Sequence, residues 1–277
     1  MKLEILGFAA TLALVDVVFP AAAQTYTYTT IDPRSATVFF GRYGINNEGQ
    51  IVGSYLMDDN RRHGFIYSGG VYATIDVPSG VETSASGINN KGQIVGQYFD
   101  SNHIRHGFLY KDGTYTTLEF ASPSAINDMG QIVGLNEAGA SVLYSGGVFT
   151  TLAVPGATDT TAEGINNSGQ IVGYYSGSDG THGFLYSGGA YAKLDASSPG
   201  ITRAGGINNS GQIVGSYVGE SAQQHGFIYS DGVYTHVDDP LGMTFPSDIN
   251  DRGQIVGRYV GPLGFGDLHI FLATPAP

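Results

Sequence analysis

The chain has no cysteine and little charge. Only 13% of its 277 residues are charged, and Lys and Arg together number 12. Without cysteine there is neither a disulfide framework nor a thiolate metal site. Asp and Glu number 24, so the formal net charge is −12, which repels phosphate backbones and argues against a nucleic-acid partner. Beyond residue 23 no apolar run approaches the roughly 18 residues needed to span a bilayer, so no membrane partner is expected for the rest of the chain. Phosphate loops, nucleophile elbows and zinc-binding helices are missing as well. No cofactor, metal or catalytic set is assigned on these grounds.

Abundant instead are glycine, at 42 residues, and the aromatics, with 18 Tyr and 14 Phe. Glycine at that density disfavours helices and suits short strands joined by tight turns. One ten-residue phrase organises the whole, written most plainly as Gly164-Ile165-Asn166-Asn167-Ser168-Gly169-Gln170-Ile171-Val172-Gly173. It recurs six times, anchored on Ile45, Ile88, Ile126, Ile165, Ile207 and Ile249 at spacings of 43, 38, 39, 42 and 42 residues. A β-rich repeat of that period marks a repeat architecture rather than a string of unrelated domains.

Residues 1–23 stand apart. Lys2 precedes a mostly apolar run from Ile5 to Phe19, and Pro20 breaks it ahead of Ala21-Ala22-Ala23. This is the pattern of a cleaved export signal, although Glu4 and Asp16 are untypical inside one. The expectation is a secreted or periplasmic protein of residues 24–277, still about 11 negative, and a monomer.

Each repeat divides into four strand-like pieces, in the second copy Ala85 to Asn89, Gln93 to Phe99, His106 to Tyr110 and Tyr115 to Phe120. Asn89-Asn90-Lys91-Gly92 has the chemistry of a type I turn closed by a glycine bulge, and Lys111-Asp112-Gly113 is equally tight. A longer connection, Asp100 to Arg105, separates them. The unit is therefore a four-stranded antiparallel meander with short turns on one edge and long loops on the other. The sixth copy stops at Pro277 without a fourth strand, while Tyr26-Thr27-Tyr28-Thr29-Thr30-Ile31-Asp32-Pro33 matches the fourth strand of the first copy, Val71 to Pro78. A spare strand at one end and a missing one at the other predict a six-bladed β-propeller whose last blade is completed by the N-terminal strand, which removes exposed edges. The glycine after each Ile-Val pair is expected to admit an aromatic ring from a neighbouring blade.

The phrase, followed by His-Gly-Phe-Leu/Ile-Tyr, resembles the bacterial extracellular repeats of the HAF family over essentially all of residues 24–277. Typical members read His-Ala-Phe with Trp where this chain has Gly and Tyr. The resemblance implies export and repetition and carries no catalytic residues to transfer.

Chemistry that happens once must break a six-fold repeat. His63, His106, His182, His225 and His269 recur and so read as scaffolding that pins strands through backbone groups. The Asn pairs read as turn formers bonding their own backbone. The copies diverge just before each anchor: Arg42-Tyr43, Ala85-Ser86, Pro123-Ser124, Ala162-Glu163, Ala204-Gly205 and Pro246-Ser247. If the first strand is innermost, these residues line the channel mouth, and Arg42, Tyr43, Glu163 and Arg203 are the candidate ligand-binding set, with Asp248 close by. Whether Glu163 faces the channel depends on local twist and any bulge. A second candidate set lies in the longer loops of the first two blades: Asp58, Arg61, Arg62, His103 and Arg105, with Asp59 and Asp100 beside them. Solvated loop tips are the simpler account of these charges. Calcium at Asp58-Asp59-Asn60 or Asp179-Gly180 lacks the graded spacing of a calcium loop. The reading is a non-enzymatic propeller binding extracellular glycan or a surface protein through its long-loop face. The alternatives are a polysaccharide lyase or glycosidase at the channel mouth, or a purely structural matrix protein.

Overall fold

In the computed structural model of the chain, residues 24–33, 38–197, 200–219, 223–264 and 267–276 are described; the expected export signal lies outside them. The described residues form strands and turns without a helix, so none is long and apolar enough to cross a membrane. The strands make six four-stranded antiparallel sheets. Blades 1 to 5 each use four consecutive strands, opening with Val38–Ile45, Glu82–Ile88, Ser122–Ile126, Asp159–Ile165 and Ile201–Ile207. In blade 2 the strands are Glu82–Ile88, Ile94–Phe99, Arg105–Lys111 and Thr114–Leu118, within a few residues of those expected. Blade 6 takes Met243–Ile249, Ile255–Val260 and Leu268–Pro275 from the C-terminus and Tyr26–Thr30 from the N-terminus. Tyr26 pairs with Pro275 and Thr30 with Phe271, which is the closure expected of a six-bladed propeller.

Core packing follows from the phrase. The isoleucine of each Gln-Ile-Val-Gly (Ile51, Ile94, Ile132, Ile171, Ile213 and Ile255) is fully buried, as is the phenylalanine of each His-Gly-Phe. Each hydrophobic cluster draws on two neighbouring blades; Val52 and Ile75 of blade 1, for example, pack with Ile88, Ile94 and Phe108 of blade 2. Strands apolar on both faces are what sheets stacked between sheets require. Truncating one such ring, Phe108→Ala, is expected to cost about 3–5 kcal/mol. In the degenerate third blade Val142 occupies the phenylalanine position, opposite Gly134.

The glycine after Ile-Val has another cause than expected. A Cβ on Gly96, Gly173 or Gly215 would collide with the carbonyl of Ser84, Thr161 or Arg203 on the same blade's first strand. There the first strand bulges, so its backbone comes too close for any side chain. The aromatic ring nearby, Phe108 at Gly96 for instance, belongs to the same blade and not to a neighbour.

The Asn-Asn phrase does more than turn the chain. Asn89 Oδ1 accepts the amides of Lys91 and Gln93, while Gly92 takes φ +70°. The Asn89 Nδ2 then donates to the Asn127 carbonyl of the next blade at 2.9 Å. The same bond runs from Asn127 to Asn166, Asn166 to Asn208, Asn208 to Asn250, Asn250 to Asn46 and Asn46 to Asn89, a closed ring of six. A second ring lies beside it, in which the backbone amides of Asn47, Asn90, Asp128, Asn167, Asn209 and Asp251 each donate to the next residue's Oδ1 at 2.8 Å. Its two carboxylates occupy opposite blades, and each accepts an amide from both neighbours. Asp128 is bonded by Asn90 and Asn167, and Asp251 by Asn47 and Asn209. Neither ring follows from turn chemistry alone, which bonds each pair only within its own turn.

The longer connections are also shorter than expected. Asp100 Oδ1 accepts from Asn102 and Ile104, and His103 takes the left-handed position at φ 60°. The segment is thus a turn of the same construction as Asn89–Gly92, with an aspartate in place of the asparagine.

Candidate functional site at the channel mouth

In every blade the residue two positions before the anchor falls at a register break. Ala162 pairs with Gly173 and Gly164 with Val172, leaving Glu163 as the extra residue; Ser86 and Gly205 are placed likewise. A bulge re-aims the side chain it carries. The preceding residue stays in the core: Ala85, Ala162 and Ala204 are buried. Blade 1 inverts this. Its bulge spans the whole stretch between Phe40 and Gly44, with Gly41 at φ +85°, so the alternation shifts by one. Arg42 therefore turns to the axis, while Tyr43 is fully buried and packs against Phe65. The expectation that Tyr43 lines the mouth is corrected: it is a core residue, and burial pushes its phenol pKa up.

Arg42 crosses the channel. It forms an ion pair with Glu163 on blade 4, opposite it in the ring, and donates to the Gly205 carbonyl of blade 5 at 2.8 Å. Burial lowers its pKa to about 10, partly offset by Asp248 and Tyr174. Asp248 sits behind it, accepting from the amides of Ile45 (3.0 Å) and Ile249 (2.9 Å). Burial raises that carboxyl to about 6 against the pull of the two amides and Arg42. Arg42 lines two spaces. On the Asn-ring side lies a small axial cavity of about 60 Å³, and on the other side opens a pocket of about 340 Å³. Arg42 is the side chain that lines both, and Glu163 lines only the larger.

The walls of the larger pocket are two guanidinium–aromatic stacks. Arg203 lies over the Tyr174 ring, 5.1 Å from its centroid, and Arg258 over Phe245 at 5.0 Å. Such contacts hold a cation in place while leaving its hydrogen-bond edge open. Ser216 and Ser247 complete the polar lining. Of the first candidate set, then, Arg42, Glu163 and Arg203 converge on one pocket, although Glu163 is paired with Arg42 and not with Arg203. Tyr174, Phe245 and Arg258 were missed. A signal was available for each: Tyr174 and Arg258, with Ser216, directly follow the glycine of Ile-Val-Gly, where the other blades carry Ser54, Gln97 and Leu135, and Phe245 stands four residues before its anchor, where Arg203 stands in blade 5.

None of the second candidate set lines this pocket. Asp58, Arg61 and His103 are exposed on the turns of blades 1 and 2, while Arg105 (exposed) and Arg62 (half-buried) begin the strands that follow. The calcium candidates are occupied otherwise. Asp59 accepts from the Arg61 amide and meets His63, and Asp179 is paired with His182 and Lys193.

The recurrent histidines are scaffolding, but their partners are carboxylates and not backbone carbonyls. Nδ1 of His63, His182, His225 and His269 lies 2.6–2.9 Å from Asp76, Asp195, Asp238 and Asp32 on the blade's outer strand or just beyond it. The same aspartates accept the following backbone amide in blades 1, 5 and 6. In blade 5, His236 joins His225 and Asp238 in a cluster with metal-ligand spacing, with its own Nδ1 on the Tyr217 hydroxyl at 3.0 Å.

No family model matches the chain, and no curated protein matches it. Solved structures do. TolB from Acinetobacter baumannii is 13% identical, with a TM-score of 0.59, over 81% of this chain and 63% of its own. The β-propeller domain of the Trilobed protease from Pyrococcus furiosus is 10% identical at TM-score 0.56, covering 86% and 95%. It is described as having an open velcro topology, whereas here Tyr26–Thr30 closes the last blade. The six-bladed fungal lectin of Aleuria aurantia, described as recognising fucose, is 12% identical at TM-score 0.50, covering 88% and 93%. At these identities the likeness is one of fold, and the class it defines is the six-bladed β-propeller.

Proposed function

We propose that this propeller is an exported, non-enzymatic binding module of the HAF-repeat kind that takes a glycan in its channel-mouth pocket. The observation that carries the reading is the convergence of Arg42, Glu163, Arg203, Tyr174, Phe245 and Arg258, all repeat-breaking residues, around one 340 Å³ space. A pocket of that size holds a small ligand of one or two sugar units, and aromatic faces with charged hydrogen-bonding groups suit pyranose rings. The sugar recognition of the structurally similar Aleuria aurantia lectin supports the same choice. Binding is favoured over hydrolysis because the Glu163 carboxylate is committed to Arg42, and the neighbouring carboxyl, Asp248, points at backbone amides. Paired carboxyls flanking a scissile bond would need to be open to the ligand.

A glycan-array screen of the protein, followed by turnover assays on every hit, tests this. Tyr174→Ala is expected to lower affinity for the hits by roughly tenfold with the melting temperature little changed. Detectable turnover of any hit would overturn the non-enzymatic reading, and unchanged binding by Tyr174→Ala would move the site elsewhere.

A further inference from the structure

Resting on that reading, we infer that the pocket selects acidic saccharides, with the ligand's carboxylate held between Arg203 and Arg258. The chain as a whole is 12 negative, yet three of its 12 basic residues meet at this one mouth. Arg42 is neutralised by Glu163. Arg203 and Arg258 have no carboxylate partner among the described residues; each is held by a ring and not by an ion pair. A guanidinium stacked on an aromatic face keeps its planar N–H fork directed outward, which is the geometry that takes a carboxylate by two parallel hydrogen bonds.

The arrangement is one-sided. Arg203 stands four residues before its anchor, where the other blades carry Gly41, Ser84, Ser122, Thr161 and Phe245. Arg258 follows Ile-Val-Gly, where blades 2 and 3 carry Gln97 and Leu135. Both guanidiniums therefore belong to adjoining blades 5 and 6, and Ser216 and Ser247 line the pocket from the same two blades. A ligand with a carboxylate beside ring hydroxyls finds both kinds of partner on that wall. A neutral sugar would cover the exposed Arg203 and half-buried Arg258 guanidiniums without supplying an anion, so it is the poorer fit.

The experiment compares uronate-bearing oligosaccharides with neutral oligosaccharides of the same linkage by titration calorimetry. The proteins are the wild type, Arg203→Gln, Arg258→Gln and Arg203→Lys, with inorganic phosphate as a further ligand. The uronate is expected to bind at least tenfold more tightly than its neutral counterpart, and each Gln variant to lose roughly tenfold toward the uronate only. Arg203→Lys keeps charge without the fork and should recover part of that loss. Equal binding of both sugars overturns the acidic preference and leaves the glycan-binding reading standing. Binding of neither sugar overturns both readings. Uronate binding untouched by the Gln variants places the carboxylate elsewhere, and phosphate binding as tightly as the uronate shows an anion site without sugar recognition. Both of those outcomes overturn the inference. Melting temperatures of all variants identify any that fail to fold, and for such a variant the Lys replacement and the wild-type sugar comparison decide.

Discussion

His269 Nδ1 lies 2.6 Å from Asp32 Oδ2, joining the third strand of the last blade to a residue 237 positions earlier. The second oxygen of Asp32 accepts the Ile270 amide at 2.8 Å. In blades 1 and 5 the equivalent clamp closes within thirteen residues, as in His63–Asp76 and His225–Asp238. Only in blade 6 does it join the two ends of the chain, and there it reinforces the pairing of Tyr26–Thr30 with Phe271–Pro275.

Closure should therefore be measurable through one side chain. Asp32→Ala strands the Ile270 amide and one imidazole nitrogen, and is expected to destabilise by about 1–3 kcal/mol. Deleting residues 24–33 should do more, exposing the edge of Leu268–Pro275 and promoting aggregation. A truncated protein that melts at the wild-type temperature and stays monomeric would show that the ring does not depend on its N-terminal strand.

The same clamps set a pH dependence. Burial alone would lower the pKa of His63 and His269, but hydrogen bonds and charge from Asp76 and Asp59, and from Asp32 and Asp267, outweigh it and raise both. A proton held more tightly in the folded state stabilises fully below the ordinary imidazole value of about 6.5, and that stabilisation is lost as pH rises through the raised folded values. Asp248, raised to about 6, acts at lower pH and adds little slope above 6.5. Urea midpoints from pH 6 to 9 should fall for the wild type more steeply than for a His63→Gln, His269→Gln double variant. Parallel curves would mean that the clamps bind no extra proton.

Much of the architecture was legible in the residues. Blade number, strand order and the donation of Tyr26–Thr30 followed from repeat counting alone, because a missing strand and a spare one are sequence facts. The site was legible only in part. Arg42, Glu163 and Arg203 broke the repeat visibly, but which of Arg42 and Tyr43 faced the axis depended on the length of a bulge, and bulges leave no mark in a period-two pattern. Tyr174 and Arg258 escaped because the phrase Ile-Val-Gly drew attention to its constant residues and away from the variable one after it. The aspartates that clamp the histidines escaped because they stand just past the end of another strand, thirteen residues on in blades 1, 4 and 5 and 237 residues away in blade 6.

The inter-blade asparagine ring predicts equivalence. Each of Asn46, Asn89, Asn127, Asn166, Asn208 and Asn250 is buried, and each spans to the next blade while capping its own turn. Single Asn→Ala variants should each cost about 1–3 kcal/mol from stranded buried partners, and by a similar amount in all six blades. Asn209→Ala, in the exposed second ring, should cost less, because water can replace what the side chain gave. Large losses confined to one or two positions would show that the ring is not shared evenly.

Arg42 and Glu163 offer the most direct view of the mouth, because they pair across it and supply two of the four charged side chains that line its pocket. Removing one partner leaves the other partly buried and unpaired, so Arg42→Met and Glu163→Gln should each destabilise by roughly 1–3 kcal/mol. Asp248 adds to the first of these, since its buried carboxyl, already raised to about 6, loses the nearby cation that favours its charged form when Arg42 is lost. The double variant removes both charges together and should lie closer to the wild type than the sum of the single losses, a coupling that a double-mutant cycle in urea measures directly. Glycan titrations on the same proteins separate stability from recognition. Arg42→Met joins the 60 Å³ axial cavity to the pocket but leaves the Arg203 and Arg258 wall intact, so affinity should fall only modestly. Strictly additive stability losses would show that the two side chains do not act as a pair across the channel.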